Sequence, residues 1–186
     1  MKTGFERFAP VERVIGIRGT DYRFWCPPDI DALIDEEAFA ADERIPYWAN
    51  VWESALVLAE EIAMMDPGGF RFLELGCGLG LPAIVAARRG FTATATDYEE
   101  AALEGVRYNA DRNGASALAV QLLDWRRIPA DFGKFDLVVA ADVLYEKHHA
   151  QALAAVITHT LAAGGRALVA DPGRARAVEL EPACRA

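Results

Sequence analysis

The run Phe72-Leu73-Glu74-Leu75-Gly76-Cys77-Gly78-Leu79-Gly80 constrains the fold of this chain more than any other stretch. A short apolar segment reaches a carboxylate, then three glycines at alternate positions, then Leu81-Pro82 where a helical pattern opens. Glycine lets the backbone turn tightly and approach a ligand closely, because no Cβ intervenes. Pro82 suits the first helical position, where its missing N–H costs nothing. A helix start behind such a turn presents unpaired N–H groups to an acceptor-rich ligand. The pattern predicts a strand, a glycine turn and a helix.

The spacing is not that of a dinucleotide fingerprint, whose last glycine would stand where Leu81 is. Further along, Phe91–Thr96 reads as a second strand ending at Asp97, about 20 residues past the turn, where a ribose-binding carboxylate belongs. A third strand, Ala117–Leu123, delivers Asp124-Trp125. A fourth begins at Phe135 and ends in Asp142-Val143-Leu144-Tyr145, and a fifth, Arg166–Ala170, ends at Asp171-Pro172-Gly173. Helical segments fall between them: one to Gly90, one from Glu99 to Asn113-Gly114, and one from Lys147 to Ala162 before Gly164-Gly165. This alternation predicts a parallel sheet with helices on both faces and ligand groups gathered at its carboxyl edge. Upstream, Val11–Ile17 and Tyr22–Cys26 read as a hairpin around Gly19-Thr20-Asp21. Ile30–Ala40 reads as a short acidic helix or loop. The aromatic segment Pro46–Trp52 leads into a helix with apolar residues at Val51, Ala55, Leu58, Ala59 and Ile62.

Taken in order, the acid before G-x-G-x-G, the second-strand acid, the Asp-Trp pair and D-x-x-Y resemble the class I (seven-β-strand) S-adenosylmethionine-dependent methyltransferases, over residues 46–173. The resemblance implies an α/β, Rossmann-like doubly wound sheet in a single methyltransferase domain, 1–186. Residues 1–50 would form an N-terminal extension of hairpin and helix, 51–173 the cofactor-binding core and 174–186 a short C-terminal segment. The family continues with a helix and an antiparallel strand pair, for which Arg174–Ala186 is too short at ordinary element lengths. The fifth strand is therefore expected to be an edge, either paired with a second copy in a homodimer or covered by the N-terminal hairpin. A natural truncation or an incomplete reading frame is the other account.

Residue by residue, the resemblance implies that Gly76, Gly78 and Gly80 form the turn beneath the methionine portion of the cofactor, with Glu74 orienting it. Asp97 would accept from the ribose hydroxyls, although it equally suits the N-cap of the helix near Glu99. Tyr98 would lie beside adenine or pack at the helix start. Asp124 would take the adenine amino group or be an ordinary loop acid, Trp125 would add apolar surface, and Ala141 would line the end of the fourth strand. The D-x-x-Y form, with Asp142 and Tyr145 as the catalytic pair, resembles the branch that methylates protein lysines. So does the aromatic segment, in which Trp52 would lie over the cofactor while Tyr47 and Trp48 serve the site or anchor the core. The implied activity moves a methyl group from S-adenosyl-L-methionine to a nitrogen, leaving S-adenosyl-L-homocysteine. Asp142 would orient the amine and Tyr145 would shape its channel.

Composition narrows the partners. A formal net charge of −9 argues against a nucleic-acid substrate, because neutralising phosphates needs a basic surface. No apolar run approaches membrane-spanning length and Met1–Arg7 has no secretory apolar region. Three scattered cysteines fit neither a disulfide framework nor a zinc spacing, which points to the cytoplasm. His148, His149 and His159 do not share a helical face, so no metal site is expected. The expected acceptor is a protein lysine, the alternatives being a small amine, alcohol or carboxylate, or a cofactor-binding interaction module without turnover.

Overall fold

The computed structural model describes residues 4–34, 45–146 and 148–185. Two strands, β1 (Val11–Ile17) and β2 (Thr20–Cys26), pair antiparallel with Ile17 opposite Thr20. The turn is thus Arg18-Gly19, one residue earlier than the sequence suggests. Both residues have positive φ, 48° and 76°, which is the twist-compatible geometry of a two-residue hairpin. Of the acidic segment expected at Ile30–Ala40, only a 3-10 turn at Asp31–Leu33 is described, and residues 35–40 lie outside the described residues.

The α/β core begins with α1 (Glu53–Met64) and continues through β3 (Arg71–Leu75), α2 (Leu81–Arg89), β4 (Thr92–Asp97), α3 (Glu100–Arg112) and β5 (Ala119–Leu122). After β6 (Phe135–Ala141) come α4 (His149–Thr160), β7 (Leu161–Ala170) and a terminal α5 (Leu180–Arg185). Five parallel strands run in the order β5-β4-β3-β6-β7. Strand side chains alternate between faces, and two buried clusters record it. Phe72, Leu137 and Val139 pack with α1, α2 and α3, while Leu73, Leu75, Val138 and Ala140 pack with α4. The sheet is therefore wound on both faces, with its switch point between β4 and β6 at the carboxyl end of β3, where open α/β sheets bind ligands.

One boundary differs instructively. Gly164-Gly165 looks like a helix stop in the sequence, yet α4 ends at Thr160 and β7 starts at Leu161. Phe135 pairs with Leu161 and Leu137 already pairs with Arg166, so the extra residues form a bulge. Gly164 takes a φ of 77° there, and a Cβ on Gly165 would stand 3.0 Å from the carbonyl oxygens of Ala162 and Asp136. The glycines serve the bulge.

The N-terminal hairpin does not cover β7. It docks against α3 and α1. Asn109 on α3 and Asn113, the C-cap residue four positions on, act as a substitute strand for β2. Asn109 Oδ1 accepts from Trp25 N–H (2.8 Å) and its Nδ2 donates to Trp25 C=O (3.2 Å); Asn113 repeats this at Arg23 (2.9 and 2.7 Å). Both amides are buried, at 0% and 8% exposure, so each bond is made away from competing water. Replacing Asn109 by Ala strips the partners from the part-buried N–H and C=O of Trp25, at up to about 1–3 kcal/mol for each group left unsatisfied. Asn109→Ala is expected to lower the denaturation midpoint and to speed hydrogen exchange at the Trp25 amide before the β3–β6 amides respond. Unchanged Trp25 exchange would show that the clamp carries no load.

Candidate functional site

The glycine turn between β3 and α2 is held from below by two buried acids. Gly76, Gly78 and Gly80 have φ of 65°, 52° and 79°, a region that L side chains seldom enter. A Cβ on Gly76 would meet Val143 Cγ1 at 2.8 Å, one on Gly78 the Trp48 carbonyl oxygen at 3.2 Å, and one on Gly80 the Val106 methyls at 3.0 Å. The crowding that demands glycine thus comes from the protein's own backbone and side chains, while the turn itself lines a cavity. Pro82 is the second residue of α2 rather than its first, still within the turn whose N–H groups have no helical partner.

Glu74 sits beneath α2 and accepts the Ala83 N–H at 2.8 Å. Its own carbonyl oxygen accepts from the Thr96 hydroxyl at 2.7 Å, which ties β3 to β4. Burial pushes the Glu74 carboxyl up to about 8, the Ala83 N–H opposing and the neighbouring Asp97 adding to the rise. Asp97, at the end of β4, holds the turn from the other side, its Oδ2 accepting Gly78 N–H (2.9 Å) and its Oδ1 accepting Glu99 N–H (3.0 Å). Asp97 is not the helix N-cap, which is Glu99; its bond to Glu99 N–H closes a local turn ahead of the helix, and each carboxylate oxygen keeps a second lone pair for a ligand. Burial raises Asp97 to about 6, with the Glu99 and Gly78 N–H groups pulling it back. Burial also pushes the Cys77 thiol far up, so it stays protonated and packs.

Every residue that the sequence analysis nominates lines one cavity of about 390 Å³ at the carboxyl edge of the sheet, a size suited to a small molecule. Trp125 covers the turn, its Cζ2 lying 3.4 Å from the Cβ position of Gly76. Trp52 donates its indole N–H to the Tyr47 carbonyl at 2.8 Å. The aromatic segment splits in two. Trp48 packs its ring against Phe5 and Phe8 as a core anchor, whereas the Tyr47 ring lies 5.1 Å from Tyr145 at the cavity. Tyr98 and Ala141 also reach the lining. Asp124 reaches it as well, but both its oxygens are gripped by Arg126, at 2.9 Å to Oδ1 and 2.9–3.1 Å to Oδ2, which lowers its pKa.

At the far end, β6 hands over to Asp142, whose φ of 62° is unusual for a residue with a side chain. Its N–H still donates to the Ala170 carbonyl at 2.9 Å, so the sheet holds this turn in place. Burial, then nearby acidic groups, pushes the Tyr145 hydroxyl well above its ordinary range, which keeps it a neutral phenol. Sequence reasoning weighed His149 only as a metal ligand. The structure puts its ring 4.7 Å from Tyr145 and 5.8 Å from Trp125, with Nδ1 donating to the Val143 carbonyl (2.6 Å) and Nε2 facing Glu146 (3.2 Å). Tyr145 precedes α4, so no helical spacing signalled this contact. Trp52, Tyr47, Tyr145, His149 and Trp125 thus make a continuous aromatic wall.

A glycine turn under a helix N-terminus, a strand acid on either side of it and an aromatic wall at the switch point of a parallel sheet define the fold of the class I S-adenosylmethionine-dependent methyltransferases. The donor set fits that cofactor. Its ribose hydroxyls need acceptors, its cationic ammonium and sulfonium favour nearby carboxylates, and its adenine needs flat apolar cover. The chain belongs to the lysine methyltransferase family, whose model matches residues 41–179. It is 35% identical over 125 residues to protein N-lysine methyltransferase METTL21A of Danio rerio, covering 63% of this chain and 57% of that protein. It is 32% identical over 136 residues to the electron transfer flavoprotein beta subunit lysine methyltransferase of Xenopus laevis, covering 70% and 54%. The chain spans about half the length of the curated relatives it matches. Among solved structures it resembles a T. thermophilus 16S rRNA methyltransferase in complex with AdoMet and guanosine (TM-score 0.64, 22% identity, 93% of this chain and 45% of that one). It also resembles a ribosomal protein L11 methylase from Lactobacillus delbrueckii subsp. bulgaricus (TM-score 0.57, 26% identity, 70% and 64%).

The buried acids predict a pH signature. Glu74 keeps its proton in the folded state up to about pH 8, whereas the unfolded chain loses it near 4.5. Folding is therefore favoured below the lower value, and that contribution fades as pH rises between the two. Without cofactor, the wild-type melting temperature is expected to fall from pH 5 to pH 8, and Glu74→Gln, which can still accept from Ala83, to flatten that fall. Parallel melting curves for both proteins would assign the slope elsewhere.

Proposed function

We propose that this protein transfers a methyl group from S-adenosylmethionine to a lysine side chain of a protein. The observation that supports it most is the two-ended cavity: Glu74, Asp97 and the glycine turn at one end, Asp142, Tyr145 and the aromatic wall at the other. S-adenosylmethionine supplies an electrophilic methyl group on a sulfonium leaving group, so the protein's part is positioning and exclusion of water. In this reading Gly76, Gly78 and Gly80, with Glu74 and Asp97, bind the amino-acid and ribose portions. Tyr98, Asp124, Trp125, Trp52 and Ala141 enclose the rest.

A lysine must give up a proton before it can attack. With a reference pKa near 10.4, presenting the neutral amine at pH 7 costs about 4.6 kcal/mol. Apolar surroundings lower that cost by disfavouring the ammonium. Asp142 orients the amine through hydrogen bonds, and Tyr145, held neutral, shapes the channel without adding charge. Aromatic faces attract cations, so the wall favours an amine over an alcohol or a carboxylate as acceptor. Among the described residues no helix is long and apolar enough to cross a membrane.

Calorimetry with S-adenosylhomocysteine separates the roles. Asp97→Ala is expected to abolish binding, whereas Asp142→Ala binds normally and transfers no labelled methyl group. Equal loss in both variants would refute this division. In the wild type the affinity is expected to drop as pH falls through about 6, where Asp97 takes up a proton and an acceptor is lost. A flat profile from pH 7 to 5 would remove Asp97 from the binding step. Labelled donor incubated with lysate should mark protein bands; label confined to small extractable products would instead make the acceptor a metabolite. Binding without any product would leave an interaction module.

A further inference from the structure

Asp142 does not stand alone at the cavity. Arg174, three residues past the strand-end Asp171, places Nη2 at 2.5 Å from Asp142 Oδ1 and Nη1 at 2.9 Å from Asp171 Oδ2. Asp171 Oδ1 accepts the N–H groups of Gly173 (2.9 Å) and Arg174 (2.7 Å), so the same carboxylate builds the turn that carries the arginine. The Asp142 and Asp171 side chains are only 8% and 7% exposed. Two carboxylates shielded from water at the ends of adjacent strands require a counter-charge, and one planar fork reaches both. Asp142 lines the cavity, whereas Asp171 and Arg174 do not, so the guanidinium approaches from behind. It engages one oxygen of Asp142 and leaves the other to the acceptor side.

Two neighbouring acids have partners of their own. Glu146 faces His149, and Arg126 grips Asp124. Among the described residues, Arg174 is the cation paired with Asp142.

We propose that Arg174 is a positioning residue for methyl transfer, fixing the Asp142 carboxylate and offsetting its charge so that it orients an amine without locking it as an ammonium; this rests on the methyltransferase reading above. An uncompensated carboxylate beside the transfer position stabilises the ammonium, which has no lone pair to attack with. The guanidinium behind it opposes that effect while preserving the hydrogen-bonding geometry. Its signature is a change in preference for charge, not a general loss of binding.

The full chain tests it with two probes: S-adenosylhomocysteine, and sinefungin, whose amine takes the place of the transferable methyl group. In Arg174→Met the sinefungin affinity is expected to rise about tenfold relative to S-adenosylhomocysteine at pH 7, the equivalent of one pKa unit for the amine. Label transfer to lysate protein should fall by about the same factor. Arg174→Lys, which keeps the charge but loses the fork, should hold the affinity ratio near that of the wild type. Equal weakening of both probes in Arg174→Met would overturn the proposal in favour of a purely structural clamp. Faster transfer in that variant would overturn it in favour of a latch that blocks Asp142. Failure of the wild type to bind S-adenosylhomocysteine would refute the cofactor assignment itself, an outcome distinct from an unchanged ratio.

Discussion

Two carboxylates buried beneath a glycine turn hold the rest of the site together. Glu74 and Asp97 leave water to accept the N–H groups of Ala83, Gly78 and Glu99, and through them β3, β4 and the start of α2 become one rigid corner. Burying an acid without full compensation is unfavourable, and the raised pKa values of both groups record that cost. Helix N-terminal N–H groups offset part of it. Near neutral pH Asp97 carries the negative charge of this floor while Glu74 holds its proton, and positive charge on a ligand beside them favours the ionised form of both. Structure and ligand chemistry meet at this corner.

The far end of the cavity follows a different electrostatic rule. There two of the acids have found a cation of the chain: Asp124 with Arg126, Asp142 with Arg174. Charge is matched locally, and what faces the ligand is mostly aromatic surface with a neutral phenol and one oriented carboxylate. In the proposed function the cofactor end attracts charge, whereas the acceptor end tempers it. This contrast suits a reaction in which one partner arrives as a cation and the other must shed its charge before reacting.

Much of the architecture was legible because its signals are local. The alternation of strand and helix, the glycine turn and the acids at strand ends all depend on residues within a few positions of one another. Gly164-Gly165 misled because a glycine pair marks a helix end and a strand bulge equally well; pairing with Phe135 and Leu137 decided between them. The hairpin was visible, but its docking was not. Its partners are Asn109 and Asn113, more than eighty residues away, and an asparagine on a helix carries no sign that it will replace a strand. His149 was seen and assigned the wrong kind of question, that of a metal ligand.

By itself the sequence determined the order of the βα units and which residues emerge at the carboxyl edge, since backbone geometry and hydrophobic alternation are encoded in short windows. Only the tertiary structure decided which groups meet there. The partners of Asp142 and β2 come from segments that become neighbours once strand order places β6 between β3 and β7 and packs α3 under the hairpin. Long-range pairing is a property of that topology, and a one-dimensional pattern does not contain the distances that select it.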